Sequence, residues 1–203
     1  MDALAEQFFN LEIMRQAMPL MLRGLGMTLL LCATIVPLGL GCGLVIALAA
    51  TSKRRSVRVA TSLAVDFVRA VPPLVLLIFV YSALPFAGIR LSPFPAVVLA
   101  LVLNASSFYG EIYRAGIESI GQGQWHAARS TGMSAPQTLA YVIIPQAVRN
   151  VLPDLASNTL EVMKLTALAS VVSFQELLYS ADMARSVTYN LRRLCWRLYS
   201  ICC

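Results

Sequence analysis

Residues 24–50 carry no charged side chain, and this run of 27 residues limits what the chain can become. A helix needs only about 20 residues to cross the hydrocarbon core of a bilayer. The rest of the composition points the same way. Of 203 residues, 58% are hydrophobic and 13% charged, and the mean hydropathy is +0.72. Soluble domains hold about 45–50% apolar and about 25% charged residues. So small a globule has no interior that could hide the surplus. The expectation is an all-α integral membrane protein, a single domain over residues 1–203.

Two further uncharged runs follow, at residues 70–89 and 91–110, with a short hairpin between them. Pro72 and Pro73 stand at the start of the second run, where a missing N–H costs least. Residues 57–69 before it read as an amphipathic lead-in helix. In the first run, Gly39, Gly41 and Gly43 allow close helix approach. The Gly39/Gly43 pair fits both a GxxxG dimer motif and ordinary packing within a bundle.

The charge is +6, but its placement is not that of a nucleic-acid binder, because no basic stripe is interleaved with aromatics. Residues 53–69 hold five Lys or Arg and residues 89–92 hold one. The positive-inside rule then puts the N-terminus outside, with the three runs passing inward, outward and inward. Residues 111–141 are thereby cytoplasmic. The acidic N-terminus and the length of the first run do not fit a cleavable signal peptide.

A fourth span is expected over residues 145–168, although it holds Arg149, Asp154, Glu161 and Lys164. Its polar positions Asn150, Asp154, Ser157, Glu161 and Lys164 are spaced by 4, 3, 4 and 3, so they share one helical face. Charged residues in a span normally face a bundle interior or a wet path. A helix lying in the interface with its stripe solvated is the other reading. Residues 165–173 read as a short broken segment. A fifth helix should follow, but residues 191–203 are too short and too basic to span.

Several chemistries lack their signatures. No G-x-x-x-x-G-K-[ST] loop is present, so the chain should not bind or hydrolyse ATP itself. There is no Ser/His/Asp or Cys/His set, and the five cysteines match neither a disulfide framework nor a zinc spacing. No cofactor and no metal site are expected. The one histidine, His126, reads as a solvated side chain.

That histidine lies in residues 124–145, QWHAARSTGMSAPQTLAYVIIP, a polar segment between apolar runs. It reads as two short helices joined at Gly132, and a structured cytoplasmic loop of this length is suited to docking a partner. Together with EIYRAGIESIGQGQW at 111–125, PQAVRNVLP at 145–153, MKLTALASVVSFQELL at 163–178 and FVRAVPPLV at 67–75, it resembles the permease subunits of bacterial ATP-binding-cassette importers, in the polar amino acid and opine uptake branch. The branch's loop motif is E-A-A, three residues, Gly, nine residues, Ile, one residue, Leu-Pro. Here His126, Ala127, Ala128, Gly132, Val142, Ile144 and Pro145 fall at its positions.

The resemblance implies a type I importer permease bundle of about four to five transmembrane helices in the bacterial inner membrane. It implies two cytoplasmic ATPase subunits that bind ATP, a second permease subunit (the same chain or a paralogue) and an extracytoplasmic solute-binding protein. It assigns Gln124, Trp125, His126, Ala127, Ala128, Arg129, Gly132 and Pro145 to the loop that couples to the ATPase. Arg129 pairs with an acidic groove residue there or stays solvated. The solute pathway is expected at Asn104, Ser107, Glu111, Ser157, Asn158, Glu161 and Lys164, with Lys164 paired to Glu161. Interhelical hydrogen bonding is the alternative role for each. Three departures stand out: His126 in place of the motif's glutamate, Leu165 where many relatives have aspartate, and a tail over 191–203 expected to be truncated or frameshifted. That tail motivates a second function reading, a permease-like scaffold that docks an ATPase without transporting. A stand-alone secondary carrier would need more spans and repeated halves.

Overall fold

The computed structural model describes residues 11–52 and 54–186, all in helices and their connections. The atypical tail at 191–203 lies outside the described residues. Helix α1 (Leu11–Ala50) is 40 residues long, about 60 Å at 1.5 Å per residue. It begins well before the uncharged run, because Arg15 and Arg23 stop a bilayer span without stopping a helix. Only 22% of its most apolar stretch is buried within the chain.

Residues 32–165 form one compact unit. Helix α2 (Arg55–Ala70) is the expected lead-in helix. It ends where Val71 and Pro72 take extended backbone, since the residue before a proline is pushed out of the helical region. The chain then turns through 98° into the apolar segment Pro73–Ala87. That segment is less regular than a simple span: α3 (Pro73–Ile78), a π turn at Phe79–Ala83 and a 3-10 turn at Leu84–Ala87. Gly88 closes it at φ +83°, which a Cβ would penalise.

Helix α4 (Pro93–Glu118) is the centre of this unit, with 56% of its apolar stretch buried. Helices α2, α3 and α7 (Ile144–Leu165) all pack on it. Small residues make the approach possible. A Cβ on Gly43 would stand 2.6 Å from Tyr109 Cβ, and one on Gly110 2.6 Å from Ile46 Cγ2. Gly39 likewise faces Ala105 and Tyr109. Gly39 and Gly43 therefore face α4 of their own chain. Gly116 lies against Val151 of α7 in the same manner.

Between α4 and α7 lie α5 (Gln122–Ser130), a turn, α6 (Ala135–Thr138) and a π turn at Leu139–Ile143. The expected second short helix is not separate, because helical structure runs from Ala135 through Val172. Pro145 was the expected start of the fourth span and instead lies inside this length. A proline ring clashes with the carbonyl four residues earlier, here that of Tyr141, which sits in the π turn. The widened turn takes up that clash. The other π turn stands in the same relation to Pro85, whose fourth preceding residue is Tyr81.

The second compact unit holds residues 1–31 and 166–203. Its described parts are the first half of α1, a 3-10 turn at Thr166–Val172 and helix α8 (Leu177–Ser186). The expected broken segment at 165–173 is this 3-10 turn. Glu176, 2% exposed, caps α8: its carboxylate accepts from the Leu178 and Tyr179 backbone N–H groups at 2.7 and 2.8 Å. Thr28 Oγ1 accepts from Leu177 N–H at 3.1 Å, and Gly24 leaves room for Ser180.

Candidate functional site

Helix α5 is short and polar, so its own propensity cannot hold it. It is held by packing. Ile120, Ile143 and Ala147 form a buried cluster, and Trp125 packs on it with Ile117, Leu139 and Val142. Ala128 is also buried, whereas Ala127 is exposed. The two alanines thus divide: Ala128 seats α5 on its own chain, and Ala127 belongs to the free face with Gln124, His126 and Arg129. Gln124 Oε1 accepts from Gln146 Nε2 at 3.3 Å, and Asn150 Nδ2 donates to Ser119 Oγ at 3.0 Å. Both bonds tie the loop's flanks to α7.

The turn after α5 depends on Gly132, at φ +85°. The Arg129 guanidinium donates to the Met133 carbonyl at 3.2 Å and braces that turn. Ser134 and Gln137 then form a capping box at the start of α6. Its S-x-x-Q signature stands in the sequence but is easily passed over inside a longer polar segment. His126 is the fifth residue of α5, beyond the first turn, so its exchange for glutamate changes little through the helix dipole. Pro145 is exposed at the head of α7.

The seven expected pathway residues do not share one surface. Asn104 and Ser107 are 3% and 1% exposed inside the packing of α4, and Ser107 Oγ donates to the Asn104 carbonyl at 2.7 Å. Glu111 is part of an ion cluster. It accepts a two-point bond from Arg114, at 3.1 and 2.8 Å, and pairs with Arg69 at 3.6 Å. Arg69 lies over the Phe108 ring, 4.9 Å from its centroid. This cluster ties the end of α2 to α4, and Arg69 was not among the expected site residues. Its place in the FVRAVPP element was the available signal.

On α7, Ser157, Glu161 and Lys164 are exposed, as are Asn150 and Asp154 of the same stripe. The Lys164–Glu161 pair, at 3.5 Å, has side chains 75% and 57% exposed. Asn158 shares the face of Ala147, Val151 and Val162, and among the described residues its buried Nδ2 has no hydrogen-bond partner. The face toward α4 is Ala147, Val151 and Val162, with Thr159 bonded to the Tyr109 hydroxyl at 2.9 Å. No group of three or more metal-ligating residues exists among the described residues.

An apolar helical bundle that holds a polar helix out on a packed seat, and turns a charged stripe away from its own core, has the form of a transporter permease. Its fold matches a crystal structure titled as an amino acid ABC transporter with histidines, at a TM-score of 0.82 and 40% identity, over 87% of this chain and 82% of that one. The chain belongs to the family of binding-protein-dependent transport system inner membrane components, matched over residues 35–202. It is 37% identical over 178 residues to the probable amino-acid ABC transporter permease YckA of Bacillus subtilis, spanning 88% of this chain and 79% of that protein. It is 40% identical over 124 residues to the probable glutamine permease GlnM of the same organism, spanning 61% of this chain and 57% of that protein. The protein is thus an ABC importer permease, a transport component and not an enzyme with an ATPase site of its own.

Proposed function

We propose that residues 1–203 act as one permease domain of an ATP-driven importer of polar amino acids, in the bacterial inner membrane with the N-terminus outside. Helix α5 docks a cytoplasmic ATPase subunit, which binds the ATP. A second permease, either another copy or a paralogue, completes the pathway, and an extracytoplasmic binding protein delivers the solute. The relatives' names, amino-acid and glutamine permeases, support the solute class. The excess of Lys and Arg in residues 53–69 supports the orientation.

One observation carries the coupling role. Trp125 packs α5 on the cluster of Ile120, Ile143 and Ala147, and Ala128 is buried as well, directly ahead of helical structure that runs from Ala135 through Val172. A push on the free face of α5 is therefore delivered to the base of a long helix. The exposed stripe of α7, with Ser157, Glu161 and Lys164, lines the pathway and replaces water around an ammonium or carboxylate. Its exposure in the single chain is what a surface completed by a second permease requires.

The test is ATPase activity of the chain co-expressed with its ATPase in liposomes, with and without loaded binding protein. Stimulation by loaded binding protein is expected. Stable co-purification without stimulation would leave a docked scaffold and remove the transport reading.

A further inference from the structure

Helix α2 has one side fixed and another bare. Val65 is buried, α2 packs on α4, and Arg69 is held by Glu111 and Phe108. Rotation of α2 to bury its other side against the same unit would break these contacts. On that other side Val59, Leu63 and Phe67 recur every four residues and are 46%, 65% and 72% exposed. At 100° per residue they form one stripe, which Val57, Ala60 and Ala64 widen. Arg54, Arg55 and Arg58 are exposed at the N-terminal end. Among the described residues none of these three guanidinium groups enters an ion pair.

The course of the chain says what covers the stripe. Helix α2 follows the apolar end of α1 after a few residues and meets the apolar segment Pro73–Ala87 at 98°. If that segment crosses the bilayer, a helix set nearly perpendicular to it lies along the membrane surface. An amphipathic helix with a broad apolar face and basic residues on its polar face is suited to that position.

We propose that α2 is an interfacial helix that sinks Val59, Leu63 and Phe67 below the lipid headgroups and binds anionic phospholipid through Arg54, Arg55 and Arg58. A zwitterionic leaflet would satisfy the apolar stripe and leave the arginines without a counter-charge. An anionic leaflet satisfies both, and each basic residue near such a surface contributes about a fivefold preference. The inference rests on the proposed membrane crossing of Pro73–Ala87 and on no other part of the transport reading.

The experiment is hydrogen exchange of the full chain in nanodiscs, either of phosphatidylcholine alone or of an equal mixture with phosphatidylglycerol. Protection of α2 is expected to rise in the mixture, while that of α4 stays constant. The combined substitution Arg54→Gln, Arg55→Gln and Arg58→Gln is expected to abolish the rise, a loss on the order of 100-fold in protection for three arginines. Phe67→Ser is expected to lower protection in both lipids. If the triple variant does not fold, added salt on the unmodified chain should reduce the rise in the same way. Equal protection of α2 in the two lipids would overturn the proposal. So would protection that appears only when the ATPase subunit is added, which would assign the stripe to a protein partner. Neither result touches stimulation by the binding protein, so the two readings fail separately.

Discussion

Helices α4 and α7 both carry polar residues along apolar lengths, and they dispose of them in opposite ways. Along the apolar length of α4, ahead of the Glu111 cluster, the polar side chains are short and point inward: Asn104, Ser106 and Ser107 are all buried. The serine hydroxyls donate to carbonyls three residues back, Ser106 to Leu103 at 3.0 Å and Ser107 to Asn104 at 2.7 Å. They satisfy themselves locally and behave as small packing residues. In α7 the charged side chains cannot do this, so Asp154, Glu161 and Lys164 turn away from α4, and Ser157 is exposed on the same stripe. A polar residue within a span therefore has two fates, set by whether its own backbone can accept its hydrogen bond. Charge separates them better than size or spacing does, since Ser157 is as short as the buried serines and lies exposed with the charged stripe.

The largest effect should come from filling the contact that lets α4 and α7 meet. Gly116 lies directly against Val151 of α7, with the Ala147 carbonyl 3.5 Å from where its Cβ would stand. Gly116→Leu is expected to destabilise the chain by about 3 kcal/mol, the upper end of ordinary overpacking. The readout is loss of monodisperse protein in detergent and a lower thermal midpoint. An unchanged midpoint would mean that α4 and α7 leave room between them for a leucine side chain.

Trp125→Ala comes next, and it tests the loop instead of the bundle. Full burial of a tryptophan is worth about 3–5 kcal/mol, and Trp125 is only half-buried. The expected cost is about 2 kcal/mol, confined to the seating of α5. Exchange over residues 122–130 should quicken while α4 is unaffected. Stimulation of ATPase by loaded binding protein should fall although the complex still assembles. Equal loss of protection in α4 would show that the loop and the bundle are one cooperative body.

Legibility in the sequence differs element by element, for physical reasons. The span in α1 is readable because 27 consecutive residues without a charge fit a bilayer and little else. Its extension back to Leu11 is not, because the charges that bound a span do not bound a helix. The break before Pro73 is readable from two consecutive prolines. The continuation of helix through Pro145 is not, because a π turn absorbs the ring and leaves no residue signature. The loop motif locates α5 and Gly132, yet the division of labour between Ala127 and Ala128 depends on which face of α5 packs on the chain. The stripe on α7 is readable as one face. That it faces away from its own chain is not, since periodicity fixes a face and not its neighbour.

A smaller effect is expected between the two helices at Tyr109 and Thr159, whose hydroxyls meet at 2.9 Å. A double-mutant cycle with Tyr109→Phe and Thr159→Val should return a coupling of about 0.6 kcal/mol, the average for hydrogen bonds between membrane helices. A coupling above about 1.7 kcal/mol, the top of the range in such cycles, would show that this contact anchors α7. A value near zero would leave the attachment to the apolar contacts at Ala147, Val151 and Val162 and to the Asn150–Ser119 bond.

The smallest expected change in stability belongs to Glu161 and Lys164, and it separates the two fates most sharply. Their side chains are exposed and their contact of 3.5 Å is long, so the pair should contribute less than about 0.5 kcal/mol. Glu161→Gln and Lys164→Met should therefore leave the thermal midpoint and the yield of the chain unchanged. If the α7 stripe lines the solute path, uptake in the reconstituted importer should fall by about tenfold or more, since a loss near 1.4 kcal/mol of solute stabilisation already has that size. Ser107→Ala in α4 should do the reverse, with a measurable drop in stability and little change in uptake. If Lys164→Met left both uptake and stimulated ATPase intact, the exposed stripe would be no more functional than the buried serines. Its outward turn would then reflect only the cost of burying charge.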